Sequence, residues 1–270
     1  MTQPTHNQSG EAELDAAASP ALAANAADAF LSPSIQRLVG EKAAAFEVKF
    51  LILETVARQV EAWAGEHMQR DAFADLSNGG AYQTTTLYLD TPQRDVFHRA
   101  PEHRNRKFRL RRYGGEQIIF LERKTRRGDR VAKRRCNVPM EELAALTAQA
   151  AADGWAGAWF RQRVAAQSLQ PACRLTYDRT AFVRLAEEGP LRLTLDRRIR
   201  GLATDAWDLT PLDAGHGILP EQVICEFKFR GTMPALFKQV ITSLQLESGS
   251  VSKYRRMMIA TGAAPAIPGV

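Results

Sequence analysis

The chain is poor in the residues on which much enzyme chemistry is built. Its 270 residues hold three cysteines, Cys136, Cys173 and Cys225, scattered and without CxxC spacing. That argues against a disulfide framework and a zinc site, and for reduced thiols in a cytoplasmic setting. Of the five histidines, none of His67, His98, His103 and His216 has a convincing serine or cysteine partner in the sequence, so no nucleophile–base pair is expected. No run of eighteen apolar residues occurs, and the Ala-rich start lacks the basic stretch of a signal peptide. The chain is therefore expected to carry no membrane segment of its own.

Negative charge is also scarce where it would matter. Residues 1–36 hold Glu11, Glu13, Asp15 and Asp28 and no Lys or Arg, so the net charge of +6 leaves 36 basic against 26 acidic groups for residues 37–270. A body this basic suits anionic partners such as phosphates, nucleic acid or acidic lipid. Residues 1–36, rich in Ala, Ser, Asn and Gln, bury too little apolar surface to offset their ordering entropy and are expected to be a disordered tail. A single domain is expected over 37–262, with a flexible tail at 263–270.

What is present is a succession of strand patterns. "AFEVKFLI", "YQTTTLYLDT", the hairpin "RKFRLRRYGGEQIIFLERKTRRG" turning at Gly114-Gly115, "VAKRRCNVP", "ACRLTYDRTAFVRL", "LRLTLDRRIRG" and "QVICEFKFRG" all alternate or are β-branched and aromatic. Helical spacing occupies residues 53–73, two segments across 141–168, and the stretches beginning at Pro234 and at Ser252. The pattern predicts an α+β fold, an antiparallel β-barrel or large sheet with flanking helices.

Within these strands charge recurs with period two. Glu47-x-Lys49, Glu122-x-Lys124 and Glu226-x-Lys228 each place a carboxylate and an ammonium on one face, as do Lys107, Arg109 and Arg111 opposite Phe108 and Leu110, and Arg192, Thr194 and Asp196 opposite Leu191, Leu193 and Leu195. One such strand is ordinarily a solvated face with cross-strand ion pairs. Five, with sixteen Lys and Arg against five acids across residues 94–135, fit that reading poorly, because like charges on adjacent strands repel. A closed sheet with its ionic face inward would make a cationic tunnel, and its few carboxylates would suit a divalent metal. Nucleic acid is not expected, because the arginines fall at strand parity and the neighbouring aromatics Phe108 and Phe120 read as lying on the opposite face. Taken alone, Tyr177 and Arg179, and the helix start at Ser252 and Lys253, fit ordinary packing as well as ligand binding.

Taken in order, "FEVKF", "TLYLDT…DVFHR", "KFRLRRYGG", "IFLERKTRRG", "VAKRR", "LTYDRTAF", "LRLTLD", "VICEFKFRG" and "SVSKY" resemble the VTC domain, the polyphosphate polymerase branch of the CYTH or triphosphate tunnel metalloenzyme superfamily. The resemblance spans nearly all of residues 43–260. It implies transfer of the γ-phosphate of ATP to a polyphosphate chain inside a basic tunnel, with Mn²⁺ or Mg²⁺ as cofactor. By motif it assigns catalytic roles to Lys49, Arg109, Arg111, Lys124 and Glu226, the last also as metal ligand, and phosphate binding to Arg99, Lys133, Tyr177, Arg179, Arg192, Ser252 and Lys253. The family's hydrolases carry Glu-x-Glu-x-Lys on the first strand, whereas position 45 here is Ala. One carboxylate fewer favours transfer over hydrolysis; a triphosphatase and a non-catalytic polyanion binder are the alternatives.

Overall fold

The structure, a computed structural model, describes residues 45–127, 130–148, 154–187 and 189–265. The expected tail at 1–36, the residues 266–270 and part of the helical segment expected over 141–168 lie outside the described residues.

In chain order the elements are β1 (Ala45–Leu53), α1 (Glu54–His67), β2 (Gln69–Arg70), β3 (Ala81–Asp90), α2 (Asp95–His98), β4 (Arg106–Tyr113), β5 (Ile118–Arg127), β6 (Arg130–Pro139), α3 (Ala158–Ala166), β7 (Gln170–Ala186), β8 (Gly189–Ala203), β9 (His216–Gly217), β10 (Gln222–Arg230), α4 (Ala235–Ser243) and α5 (Lys253–Ala260), with 3-10 turns at Leu76–Asn78 and Met140–Leu146. The helices and strands confirm an α+β protein. Among the described residues ten strands form one antiparallel sheet in the order β2-β7-β3-β4-β5-β6-β1-β10-β8-β9, and β7 pairs with β8 as well. The β1–β6 pairing rests on one register pair, Ala45↔Val131, whereas β1 and β10 pair along their length.

The period-two pattern sets the layers. On one face of β1, β8 and β10, Phe50, Leu193, Leu195, Cys225 and Phe227 are buried against Ala57, Val60 and Ala64 of α1 and Phe237 and Val240 of α4. Phe227 anchors this layer, its ring 4.6 Å from that of Phe237 and 5.3 Å from that of Phe50. A second apolar layer joins Leu87, Phe108, Leu110 and Leu121 to Phe160 and Val164 of α3. With their greasy sides covered by helices, β1, β4, β5 and β10 turn their ionic sides the other way, toward one another. Helix α5 packs Tyr254, Met257 and Met258 against Tyr88, Leu175 and Tyr177, which brings its first turn to the ionic side. Ser252 caps that turn, its hydroxyl accepting from Arg255 N.

One expectation about faces is corrected. Phe120 shares the parity of Glu122 and Lys124 and lies on the ionic side, with the Arg135 guanidinium 4.5 Å above its ring and Tyr113 5.3 Å away. Phe108 does lie on the opposite, apolar face, as expected.

Candidate active site

The ionic sides of β1, β4, β5, β7 and β10, together with the start of α5, enclose a cavity of about 1250 Å³. It is lined by fourteen Lys and Arg side chains and two carboxylates, Glu47 and Glu226. Such an excess of like charge in a concave space favours the binding of anions.

Register explains how the two carboxylates are held. Lys49 lies opposite Glu226 and Glu47 opposite Lys228 across the β1–β10 ladder. Lys49 bridges the carboxylates, 2.7 Å from Glu47 and 3.3 Å from Glu226, while Lys124 reaches Glu47 from β5 at 2.7 Å and Lys228 reaches Glu226 at 2.8 Å. Burial opposes ionisation of Glu226, yet Lys228, Lys49 and Lys124 hold its carboxyl well below the usual carboxylate range. The same carboxylates outweigh burial at Lys49 and raise its pKa.

Deeper along β4, Arg109 and Arg111 face Glu122, which is almost fully buried. Its carboxylate lies 2.6 Å from Arg109 and 3.9 Å from Arg111 and also pairs with Arg135. Burial would raise the Glu122 pKa, but these arginines drive it well below the ordinary value. Glu122 thus holds guanidiniums extended. Arg179 is held in the same manner by Asp196, at 2.6 and 2.8 Å, and Lys253 pairs with that same carboxylate.

Lys107 differs from the other lysines of the cavity. Its Nζ donates to Ser252 Oγ at 3.2 Å. Burial and the nearby cations Lys49, Lys124, Arg109 and Arg99 lower its pKa to about 7. Burial also lowers Lys124, to about 8, although Glu47 partly offsets it.

Arg99 reaches the rim from α2. The Asp90 carboxylate accepts from Thr91 N, Val96 N and Phe97 N at 2.7–3.0 Å and receives the Tyr254 hydroxyl, so it ties this short helix to α5. Arg99 ends the helix at φ 57°, a left-handed conformation uncommon for a non-glycine residue.

Of the twelve site residues expected from the sequence, nine line this cavity: Lys49, Arg99, Arg109, Arg111, Lys124, Arg179, Glu226, Ser252 and Lys253. Lys133, Tyr177 and Arg192 are not part of its lining. Lys133 is exposed. Tyr177 is fully buried, with the Arg179 guanidinium 5.4 Å and the Lys253 ammonium 4.8 Å from its ring. Arg192 pairs with Asp71 at 2.8 Å and donates to the Tyr82 hydroxyl at 3.1 Å. The sequence reading passed over the rim arginines Arg104, Arg106, Arg255 and Arg256, whose only signal was net charge, and it placed Lys107 in the ionic row without assigning it a site role.

The donor set fits a hard divalent cation. Glu47 and Glu226 offer carboxylate oxygens into the cavity, and Mg²⁺ or Mn²⁺ characteristically combines one or two carboxylates with water and substrate phosphate. Among the described residues no cluster of three or more His, Cys, Asp or Glu forms a protein-only metal cage. No helix among them is long and apolar enough to cross a membrane.

An α+β chain whose antiparallel sheet gathers Lys and Arg around two carboxylates defines the class of phosphate- and nucleotide-binding tunnel domains. The particular family follows from the comparison with family models: the VTC domain model matches residues 44–261, and the chain belongs to that family. Its superfamily includes phosphate-transfer and triphosphatase enzymes and is generally metal-dependent. A search of curated proteins found no match.

Solved structures that the chain matches include bh2851 of Bacillus halodurans, provisionally named an adenylate cyclase, with TM-score 0.48, 14% identity, and coverage of 78% of this chain and 94% of that one. HpAC1 of Hippeastrum, for which a dominant triphosphatase activity is stated, matches with TM-score 0.46 and 14% identity over 83% and 98% of the two chains. PH1819 of Pyrococcus horikoshii OT3 matches with TM-score 0.43 and 12% identity over 81% and 98%.

Proposed function

We propose that this protein is an ATP–polyphosphate phosphotransferase, passing the γ-phosphate of ATP to inorganic polyphosphate inside a closed antiparallel barrel. The observation that carries this reading is the single cavity in which fourteen cations surround two carboxylates. The return pairing of β7 with β8 supports closure, since with it each of the eight longer strands has two neighbours among those eight. The three free cysteines support the cytoplasmic setting.

Phosphoryl transfer asks the protein for alignment and charge neutralisation more than for covalent chemistry. Lys49, Lys124, Arg109, Arg111 and Arg179 are assigned to the triphosphate and the chain end, with Arg99, Ser252 and Lys253 at the rim; bidentate guanidinium forks suit phosphate oxygens. An oxygen of the acceptor's terminal phosphate attacks the γ-phosphorus, the bond to the β-phosphate oxygen breaks, and ADP leaves. That oxygen is already anionic near neutral pH, so no general base is needed, which agrees with a cavity lined by no histidine or cysteine. Mn²⁺ or Mg²⁺, held by Glu226 with Glu47 beside it, would supply charge neutralisation between phosphate oxygens.

The test is incubation with ATP and Mn²⁺ and separation of the products. Long phosphate chains with ADP are expected; free phosphate without chains would make the protein a triphosphatase, and unchanged ATP with tight anion binding a non-catalytic polyanion binder. Glu226→Ala is expected to abolish turnover while much of the anion affinity persists, and turnover surviving in it would remove the metal assignment.

A further inference from the structure

We infer that the outer wall of the sheet beside the cavity mouth carries a second anion-binding surface, built from Arg106, Arg123, Arg134 and Arg163, that holds the stretch of phosphate chain lying outside the channel. This inference rests on the proposed reading that the channel holds phosphate chains. Along β4 the positions Arg106, Phe108 and Leu110 share the outer face, as do Leu121 and Arg123 on β5 and Arg134, Cys136 and Val138 on β6. Phe108, Leu110, Leu121 and Val138 are packed under Phe160 and Val164 of α3. Arg106, Arg123 and Arg134 each lie one step beyond that cover, toward the mouth.

Register brings the arginines together. Arg123 stands directly opposite Arg134 across the β5–β6 ladder, and Arg106 is its diagonal neighbour across β4–β5, where Phe108 faces Arg123 and Arg106 faces Thr125. The Arg134 guanidinium lies 4.3 Å above the ring of Trp159, and Arg163 follows Trp159 by one turn of α3. Arg106, Arg134 and Arg163 are exposed, and Arg123 is half-buried with its Nε lacking a hydrogen-bond partner. Burial, and then Arg163, Arg134 and Arg106, lower the Arg123 pKa, so the charged groups acting on it are all cations. Like charges directly opposite one another destabilise a ladder, and an anion laid across them removes that cost.

The occupant follows from continuity with the mouth. Arg106 belongs both to this row and to the lining of the cavity, at whose rim Arg104 and Arg126 also stand. A chain with one end among Arg109, Arg111 and Lys124 leaves past Arg106 and meets Arg123 about 7–8 Å further on, the spacing of diagonal neighbours. Repeating phosphate oxygens match successive guanidinium forks. Single-stranded nucleic acid fits less well, because Trp159, the ring on which a base would stack, is already covered by Arg134.

The experiment compares ligands by length. Binding of tripolyphosphate and of long-chain inorganic polyphosphate to the full-length protein is measured over a range of salt concentrations, and wild type is expected to bind the long chain more tightly. The Arg123→Gln/Arg134→Gln/Arg163→Gln variant is expected to lose about tenfold in long-chain affinity at low salt, with a slope of log affinity against log salt shallower by about two, at roughly 0.7 per cation removed from a single strand. Its affinity for tripolyphosphate, which reads the cavity and reports folding, is expected to stay within about twofold at physiological salt, where a Debye length of about 8 Å screens the outer wall from the interior. Should the triple variant fail to fold, Arg163→Glu alone, at an exposed position of α3, is expected to weaken long-chain binding with tripolyphosphate binding kept. Equal long-chain affinity in wild type and a folded variant overturns the outer surface while leaving the functional reading intact. A loss for single-stranded DNA or phosphatidylserine vesicles larger than the loss for polyphosphate assigns the arginines to that partner and overturns it as well. Failure of wild type to bind either tripolyphosphate or the long chain overturns the functional reading, and the outer surface with it.

Discussion

At the scale of single residues, the cavity sorts its cations by the company they keep. Lys49 sits between two carboxylates and is held protonated, whereas Lys107 has cations around it and a serine hydroxyl as its partner, with a pKa lowered to about 7. The ligand-free protein therefore holds Lys107 neutral above about pH 7, and between there and the ordinary lysine range near 10.4 the unfolded chain binds a proton that the folded one does not. Stability of the ligand-free protein thus gains from this residue as pH rises through that window. A phosphate bound beside Lys107 favours the ammonium and takes up a proton, so affinity falls as pH rises above 7. Calorimetric titration of tripolyphosphate at pH 8 in buffers of different ionisation enthalpy is expected to show proton uptake, reduced by close to one proton in Lys107→Met. Equal uptake in the two proteins would remove this role. The position of Lys107 in the ionic row was readable from strand parity. Its pKa was not, because that depends on β1, β5 and α2 converging on it from distant parts of the chain.

At the scale of elements, each ionic strand depends on its apolar back. β10 carries Glu226 and Lys228 on one side and Cys225, Phe227 and Phe229 on the other, and Phe227 is fully buried between Phe50 and Phe237. Phe227→Ala removes a ring from a packed layer, and urea denaturation is expected to show a loss of about 3–5 kcal/mol, the range for such truncations. A loss below about 1 kcal/mol would mean that this layer does not anchor the site strand. Alternation was enough to place Phe227 in a core and Glu226 away from it. It was also enough to place Phe120, whose number matches Glu122 and Lys124 in parity; the expectation that Phe120 lies with Phe108 broke the rule applied to its neighbours. The partnership of Arg192 with Asp71 had no such signal, since Asp71 follows β2 in a segment with no strand pattern and meets β8 only in the folded chain.

At the scale of the whole molecule, gathering fourteen cations around two carboxylates costs stability until an anion arrives. Tripolyphosphate is expected to raise the melting temperature, since a ligand at a hundred times its Kd stabilises the native state by about 2.7 kcal/mol. That gain is expected to shrink steeply between low and high salt, while the ligand-free protein melts higher as salt is added. Thermal melts with and without tripolyphosphate at two salt concentrations check both. An unchanged melting temperature at low salt would argue that the cations are neutralised within the protein.

By itself the sequence determined which side chains share a face, because a strand alternates sides residue by residue whatever the rest of the chain does. It determined too that the basic body suits an anionic partner, because charge is a sum over residues. Tertiary structure alone decided which strands lie beside one another and how Glu47 and Glu226 come to share Lys49. Those features depend on contacts between residues far apart in the chain, and strand order and depth along a channel leave no periodic mark in the sequence of any one strand.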